Sequence, residues 1–126
     1  MAQHQGFGVT ATSDGLTTGL IPAHAFVENM IVTITSAAAD NIVTLPAVAD
    51  VPDGSSCRFY IGANGCEVRT VAASGSTINS SDSDGTNEAA IPATHYFEAI
   101  KMYSTGYLLI GYTEAGVIAT ITPDGA

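Results

Sequence analysis

The sequence predicts an all-β fold, a single-domain antiparallel β-sandwich or jelly-roll-like barrel of about eight short strands with an extended N-terminal arm. Short runs rich in β-branched residues recur along the 126 residues, at spacings near 10 residues. Turns rich in Gly, Pro, Asp and Ser separate them, and no segment has the periodicity of an amphipathic helix. We divide the chain into an arm, residues 1–28, and a β-sandwich domain, residues 29–126.

The N-terminal arm is rich in Gly, Thr and Gln and has little periodicity. Its apolar side chains are set in flexible sequence, and docking on a neighbouring protein offsets the cost of ordering them. The alternative is an ordinary first strand at the edge of the sheet. The arm residues predicted to make the docking contact are Phe7, Leu16, Leu20, Ile21 and Phe26.

Two β-branched runs follow the arm. Residues 30–35 alternate in polarity and predict one strand, and residues 41–45 predict the next, which ends at Pro46. These runs resemble IATIT at 118–122, but their unequal spacing favours repeated strand chemistry over a solenoid.

The two cysteines flank a predicted hairpin of residues 57–61 and 66–71. In that pairing Cys57 and Cys66 share a face but lie roughly 13 Å apart along the strand. A disulfide needs Cα atoms within about 7 Å of each other. We therefore predict two free thiols in apolar surroundings.

The remaining strands are predicted at residues 77–79, 94–103, 107–112 and 116–122, and residues 80–90 are predicted to form a polar loop. Pairing Tyr103 with Tyr107 gives a hairpin that is apolar on both faces. We assign to the core the set Tyr96, Ile100, Met102, Leu108 and Ile110. The second face is covered by a loop of the same chain or by another subunit, and we favour the subunit. The residues predicted to form this subunit interface, which the family resemblance described below makes a trimer interface, are Phe97, Tyr103, Tyr107 and Leu109.

The charge balance excludes several partners. Charged residues make up 12% of the chain, against about 25% in an average domain. The net charge is −9, and 3 scattered cations cannot form a basic stripe for nucleic acid or bind an anionic membrane. No apolar run approaches the roughly 18 residues of a membrane span. The start has no basic and apolar signal regions, so we expect synthesis in the cytoplasm.

Residues that could support catalysis do not group. The 3 histidines lie in separate segments without partners at metal-ligand spacing, and no nucleophile elbow is present. Nothing pairs two carboxylates as a glycosidase requires. The acidic run 82–88 departs from calcium-loop spacing and is better explained as a solvated hairpin tip than as a Ca²⁺ site. We predict no catalytic residue, no cofactor, no metal and no enzyme activity.

Five segments carry a resemblance to a known family. They are DGLTTGLIPA (14–23), VTITSAAADNIVTLPA (32–47), GANGCEVRTVA (62–72), TINSSDSDGTNEAAIPA (77–93) and GYLLIGYTEAGVIATITPD (106–124). Together they resemble the head decoration, or cement, proteins of tailed bacteriophages, most of all those of phages of cyanobacteria. The resemblance implies a trimeric virion protein on the outer surface of the capsid, which binds the major capsid protein across subunit junctions and stabilises the DNA-filled head.

An alternative within the same biology is a fibre or tail receptor-binding domain that recognises host-surface glycan. Its aromatic side chains would stay exposed in the oligomer, whereas those of a cement interface would be covered. The tyrosines proposed to stack on sugar rings are Tyr60, Tyr103, Tyr107 and Tyr112. An immunoglobulin-like module is disfavoured because the chain has no Trp.

Overall fold

The computed structural model describes residues 6–13, 15, 19–71, 76–82, 87–102 and 105–125. These residues form a predominantly β fold with almost no helix, so the all-β prediction is confirmed. Helix α1 spans Ala23–Val27, and a 3-10 helix spans Val48–Asp50. The strands are β1 Gly6–Thr10, β2 Ile31–Thr35, β3 Ile42–Thr44, β4 Ser56–Ile61, β5 Cys66–Arg69, β6 Thr77–Ile78, β7 Ser81–Asp82, β8 Asn87–Ile91, β9 Tyr96–Lys101, β10 Gly106–Tyr112, β11 Ile118–Ala119 and β12 Pro123–Gly125.

The strands form two mixed sheets. The larger sheet has the order β1-β2-β4-β9-β10-β6-β7, with β11 beside β10, and the smaller has the order β12-β8-β5-β3. Strand pairs β1–β2, β2–β4, β3–β5 and β6–β10 are parallel. The prediction of a purely antiparallel arrangement is therefore wrong.

The parallel pairs arise because the chain winds back and forth between the two sheets. Strands β2 and β4 lie side by side in the larger sheet, and β3, between them in sequence, lies in the smaller sheet beside β5. Parallel neighbours need a crossover connection, and here the crossover contains a strand of the opposite sheet. The winding is solenoid-like, so unequal spacing was a poor reason to disfavour a solenoid: the loops absorb the difference in length.

The predicted hairpin of residues 57–61 and 66–71 does not form, because β4 and β5 belong to different sheets. The chain crosses between them at residues 62–65, where Asn64 and Gly65 both have positive φ. Cys57 and Cys66 are buried and free, as predicted. Placement on opposite sheets, rather than an offset within one hairpin, keeps the two thiols apart.

The described part of the N-terminal segment belongs to the fold. Strand β1 pairs with β2 over its whole length, and Thr12 and Leu20 form bridges to Ile42 and Thr44 of β3. This segment therefore lines an edge of each sheet. Its buried side chains, such as Ile21 and Phe26, belong to the core of their own chain, which agrees with the alternative of an ordinary edge strand.

One cluster of buried apolar side chains draws on both sheets. Phe59 and Phe97 stack with ring centroids 4.6 Å apart, and Phe26 packs 5.4 Å from the ring of Tyr107. The Tyr107 hydroxyl donates to the carbonyl of Pro46 at 2.6 Å, which satisfies the polar end of this buried side chain.

The hairpin of β9 and β10 forms, but its faces are exchanged relative to the prediction. Leu108 pairs with Ile100, a shift of two residues that preserves which side chains share a face. Phe97, Tyr107 and Leu109 point into the core, each at most 3% exposed. Lys101 shares that face, and its side chain is buried and forms an ion pair with Asp53 of the loop before β4.

Candidate binding surface

The outward face of the larger sheet carries the candidate site, which we call the outer face. Register pairs align its side chains in rows across β1, β2, β4, β9, β10 and β11. One row runs through Gly8, Thr33, Tyr60, Tyr96, Tyr112 and Ile118. The next runs through Gly6, Ile31, Arg58, Glu98 and Ile110. Register thus brings residues distant in sequence onto one surface.

Three tyrosines on adjacent strands form an aromatic row. The rings of Tyr60 and Tyr96 have centroids 6.4 Å apart, and those of Tyr96 and Tyr112 are 5.9 Å apart at an interplanar angle of 28°. Tyr60 is 38% exposed and Tyr96 36% exposed. Small residues, Gly8 and Thr33, continue the row on one side, so the rings stand above their surroundings there.

A depression with a volume of about 320 Å³ lies beside the aromatic row. Tyr96 and Tyr112 line it, together with Arg58 and Glu98, which face each other in register on β4 and β9. The site therefore combines flat apolar rings with one strong hydrogen-bond donor and one acceptor. Its two charges are opposite in sign, so it lacks the excess positive charge of a phosphate site.

The other end of the outer face is aliphatic. Ile100 and Leu108 pair in register, and Met102 joins Leu108 at a small depression of about 170 Å³. These side chains are half-buried, as is Ile110 in the neighbouring row. Apolar residues on a sheet face that the chain leaves partly open are typical of a protein contact. We call this group, Ile100, Met102, Leu108 and Ile110, the aliphatic end.

The residues predicted for the trimer interface do not lie on the outer face. Phe97, Tyr107 and Leu109 belong to the core of their own chain, and Tyr103 lies outside the described residues. The set that was assigned to the core occupies the outer face instead. The sequence signal that could have corrected this is Glu98, a charged residue on the face that was taken as buried.

The arm residues predicted to dock on a neighbouring protein, which the family resemblance makes the capsid contact, separate into two groups. Ile21 and Phe26 are at most 2% exposed, so this part of the prediction is corrected: they seal the core beside β3 and β4. Leu20 is 48% exposed, and the half-buried Phe7 ring stacks 6.1 Å from that of His24. Leu16 lies outside the described residues.

The two thiols and the Tyr107 phenol are buried. Burial raises the pKa of both the Cys57 and the Cys66 thiol to about 12, which keeps them protonated at neutral pH. Burial likewise raises the pKa of the Tyr107 phenol. Among the described residues, no three His, Cys, Asp or Glu side chains group as metal ligands. Most of the acidic run 82–88 lies outside the described part of the chain.

Comparison of the chain with protein-family models, with curated proteins and with solved structures gives no match. Within the described residues, no helix is long and apolar enough to cross a membrane.

Of the tyrosines proposed for glycan stacking, Tyr60 and Tyr112 lie on the outer face. Tyr107 is buried, and Tyr103 is outside the described residues. Tyr96 completes the row but had been assigned to the core. Its place beside Tyr60 depends on the pairing of β4 with β9, a long-range contact that no local pattern reveals.

Proposed function

We propose that the chain is a non-enzymatic structural protein of a tailed-phage virion, a capsid decoration protein that forms a homotrimer on the outer surface of the head. The observation that carries this proposal is the apolar outer face. It crosses four strands from β2 to β10, a width of about 14 Å. Ile31 at 42% and Tyr60 at 38% are exposed within it. Exposed apolar surface of this kind marks a binding site.

The trimer contact is proposed at the aliphatic end. Its residues are apolar and uncharged, as the centre of an oligomer interface requires. The contact with the major capsid protein is proposed at Phe7, on the edge strand β1 of the larger sheet, and at Leu20, which is 48% exposed beside β3 of the smaller sheet. A trimer would engage several capsid subunits at once, and linked contacts strengthen binding without any single one being tight.

The experiment compares phage heads that carry the protein with heads from a phage whose gene for the protein is deleted. We expect the purified chain to co-sediment with heads that lack the protein and to raise the temperature at which those heads release DNA. A Leu108→Asp variant, which places a charge in the aliphatic end, should restore neither property. The proposal would be contradicted if the wild-type chain failed to bind heads that lack the protein.

A receptor-binding domain of a fibre or tail is the second candidate. The exposure of Tyr60 and Tyr96 favours it, because sugar-binding aromatics stay open to solvent. Locating the protein within purified virions by immuno-electron microscopy separates the two candidates: label on the head supports decoration, and label on the tail supports receptor binding.

A further inference from the structure

We propose that the aromatic row of Tyr60, Tyr96 and Tyr112 binds a neutral oligosaccharide, whose successive sugar rings stack on successive tyrosines. The inference deepens the glycan-recognition candidate, but it concerns the chain itself. It holds whether the protein sits on a head or on a tail. Its test therefore uses the purified chain and can fail independently of either proposed location.

The geometry of the row suits a sugar chain. The three rings lie on adjacent strands, and the two ring spacings of 6.4 and 5.9 Å are nearly equal. Linked pyranose units also repeat at near-equal intervals and present flat carbon–hydrogen faces. An aromatic ring offers a negative π-face to such a surface. The open Gly8 and Thr33 side of the row leaves room for the chain to continue.

The polar groups around the row fit hydroxyls. Arg58 can donate hydrogen bonds and Glu98 can accept them at the depression beside Tyr96 and Tyr112. Within the described residues, no protein group bonds to the hydroxyls of the three tyrosines. These hydroxyls can therefore both donate to and accept from a ligand. A purely apolar partner would leave this polar set unused.

The charge balance selects a neutral sugar. The site holds one cation and one anion, and the whole chain has a net charge of −9. A uronate- or sulfate-bearing oligosaccharide would be repelled by the protein and would find a carboxylate beside Arg58. The same reasoning disfavours an acidic peptide as the occupant.

The test is a titration of the full chain with neutral tetrasaccharides of glucose, mannose and N-acetylglucosamine, in parallel with an oligogalacturonate. Tyrosine fluorescence reports binding directly because the chain has 5 Tyr and no Trp. Saturation-transfer NMR identifies the sugar protons in contact. We expect at least one neutral tetrasaccharide to bind, and the oligogalacturonate to bind more weakly or not at all.

Three variants locate the site. Tyr96→Ala should weaken binding by about tenfold or more, as truncation of a central anchor does. Tyr96→Phe keeps the ring and should retain most of the affinity. Val71→Ala is the matched control: it removes an apolar side chain that is 38% exposed just after β5 of the smaller sheet, outside the outer face, and should bind like the wild type. If Tyr96→Ala alters the circular dichroism spectrum, Tyr60→Ala, at the end of the row, replaces it and should likewise weaken sugar binding.

The proposal is overturned if no neutral tetrasaccharide binds, or if the acidic sugar binds more tightly than all of them. It is equally overturned if Tyr96→Ala and Val71→Ala weaken binding alike. A change of solution mass in Tyr96→Ala, without sugar binding by the wild type, would assign the row to a protein contact instead.

Discussion

At the scale of single residues, Asn79 shows how one side chain can join distant parts of this fold. Its amide nitrogen donates to the carbonyls of Leu109 and Ile121, and its amide oxygen accepts from the backbone N–H of Leu109. Asn79 itself adopts φ of 50°, a conformation that Asn tolerates better than most residues. It thereby ties the end of β6 to β10 and to the C-terminal segment.

Asn79→Asp should lower the free energy of unfolding by about 2–3 kcal/mol, because a carboxylate cannot donate to the two carbonyls. Chemical denaturation measures the loss. Asn29→Asp is the control: Asn29 also has φ of 50°, but its side-chain oxygen acts as an acceptor for the Ser56 hydroxyl. The control should stay within about 0.5 kcal/mol of the wild type. Equal losses in the two variants would contradict the assigned role of the Asn79 amide.

The buried thiols should make the free energy of unfolding depend on pH in the alkaline range. Burial raises the pKa of Cys57 and Cys66 from 9.0 to about 12, so the native state holds these protons over a range in which the unfolded state releases them. Their contribution to stability is fully present below about pH 9 and is lost as the pH rises towards 12. Tyr107 acts in the same direction at high pH.

Thiol labelling isolates the cysteines from the tyrosine. At mildly alkaline pH, we expect a thiol reagent to modify neither cysteine of the native chain and both cysteines of the chain in concentrated guanidinium chloride. Labelling of the native protein at the rate of an unfolded peptide would show that the thiols are accessible, against the structure.

At the scale of elements, the crossing from β4 to β5 decides which sheet each strand joins. Gly65 has φ of +69°, and a Cβ built there would lie 2.6 Å from the carbonyl oxygen of Ile91. Gly62, in the same crossing, has open space around the Cβ position. Of these two glycines in one short loop, only Gly65 lies where a larger residue would be strained and would clash.

Gly65→Ala should destabilise the protein by about 3 kcal/mol, since it combines a strained φ with a backbone clash. Gly62→Ala should change the free energy of unfolding by less than about 0.5 kcal/mol. Thermal and chemical unfolding of the pair measure the difference. A Gly65→Ala variant as stable as Gly62→Ala would contradict the geometry of the crossing.

The elements also show what the sequence can predict. Local alternation located β2, β3, β4, β5, β9 and β10 to within a few residues, because the signal lies in adjacent side chains. Strand partners were harder: β4 pairs with β2 and β9, neither of which adjoins it in the chain. Strand β8 was missed, since its sequence NEAAI lacks a run of β-branched residues.

The site was predicted only in part for the same reason. A hairpin apolar on both faces was expected to need a second cover, and nothing local shows which face is inward. Phe97 of that face stacks on Phe59 in the core, and Lys101 of the same face is buried with its charge paired to Asp53. Both contacts join residues far apart in sequence.

At the scale of the whole molecule, the winding between two sheets explains why the outer face exists. In each strand of the larger sheet, alternate side chains point into the core. The register between neighbouring strands aligns the outward-pointing side chains in rows. The smaller sheet covers one side of the larger sheet. The outer face stays partly open to solvent, and we propose that another copy of the chain binds at its aliphatic end.

The most direct test of this account is the solution mass of the purified chain, measured by light scattering during size exclusion. The account predicts a mass near three times 12.8 kDa for the wild type. Leu108→Asp, folded by circular dichroism, should elute with the mass of one chain, while Thr33→Asp on the same face should remain a trimer. A wild-type chain that runs as a monomer at high concentration would contradict the trimer and the role assigned to the aliphatic end.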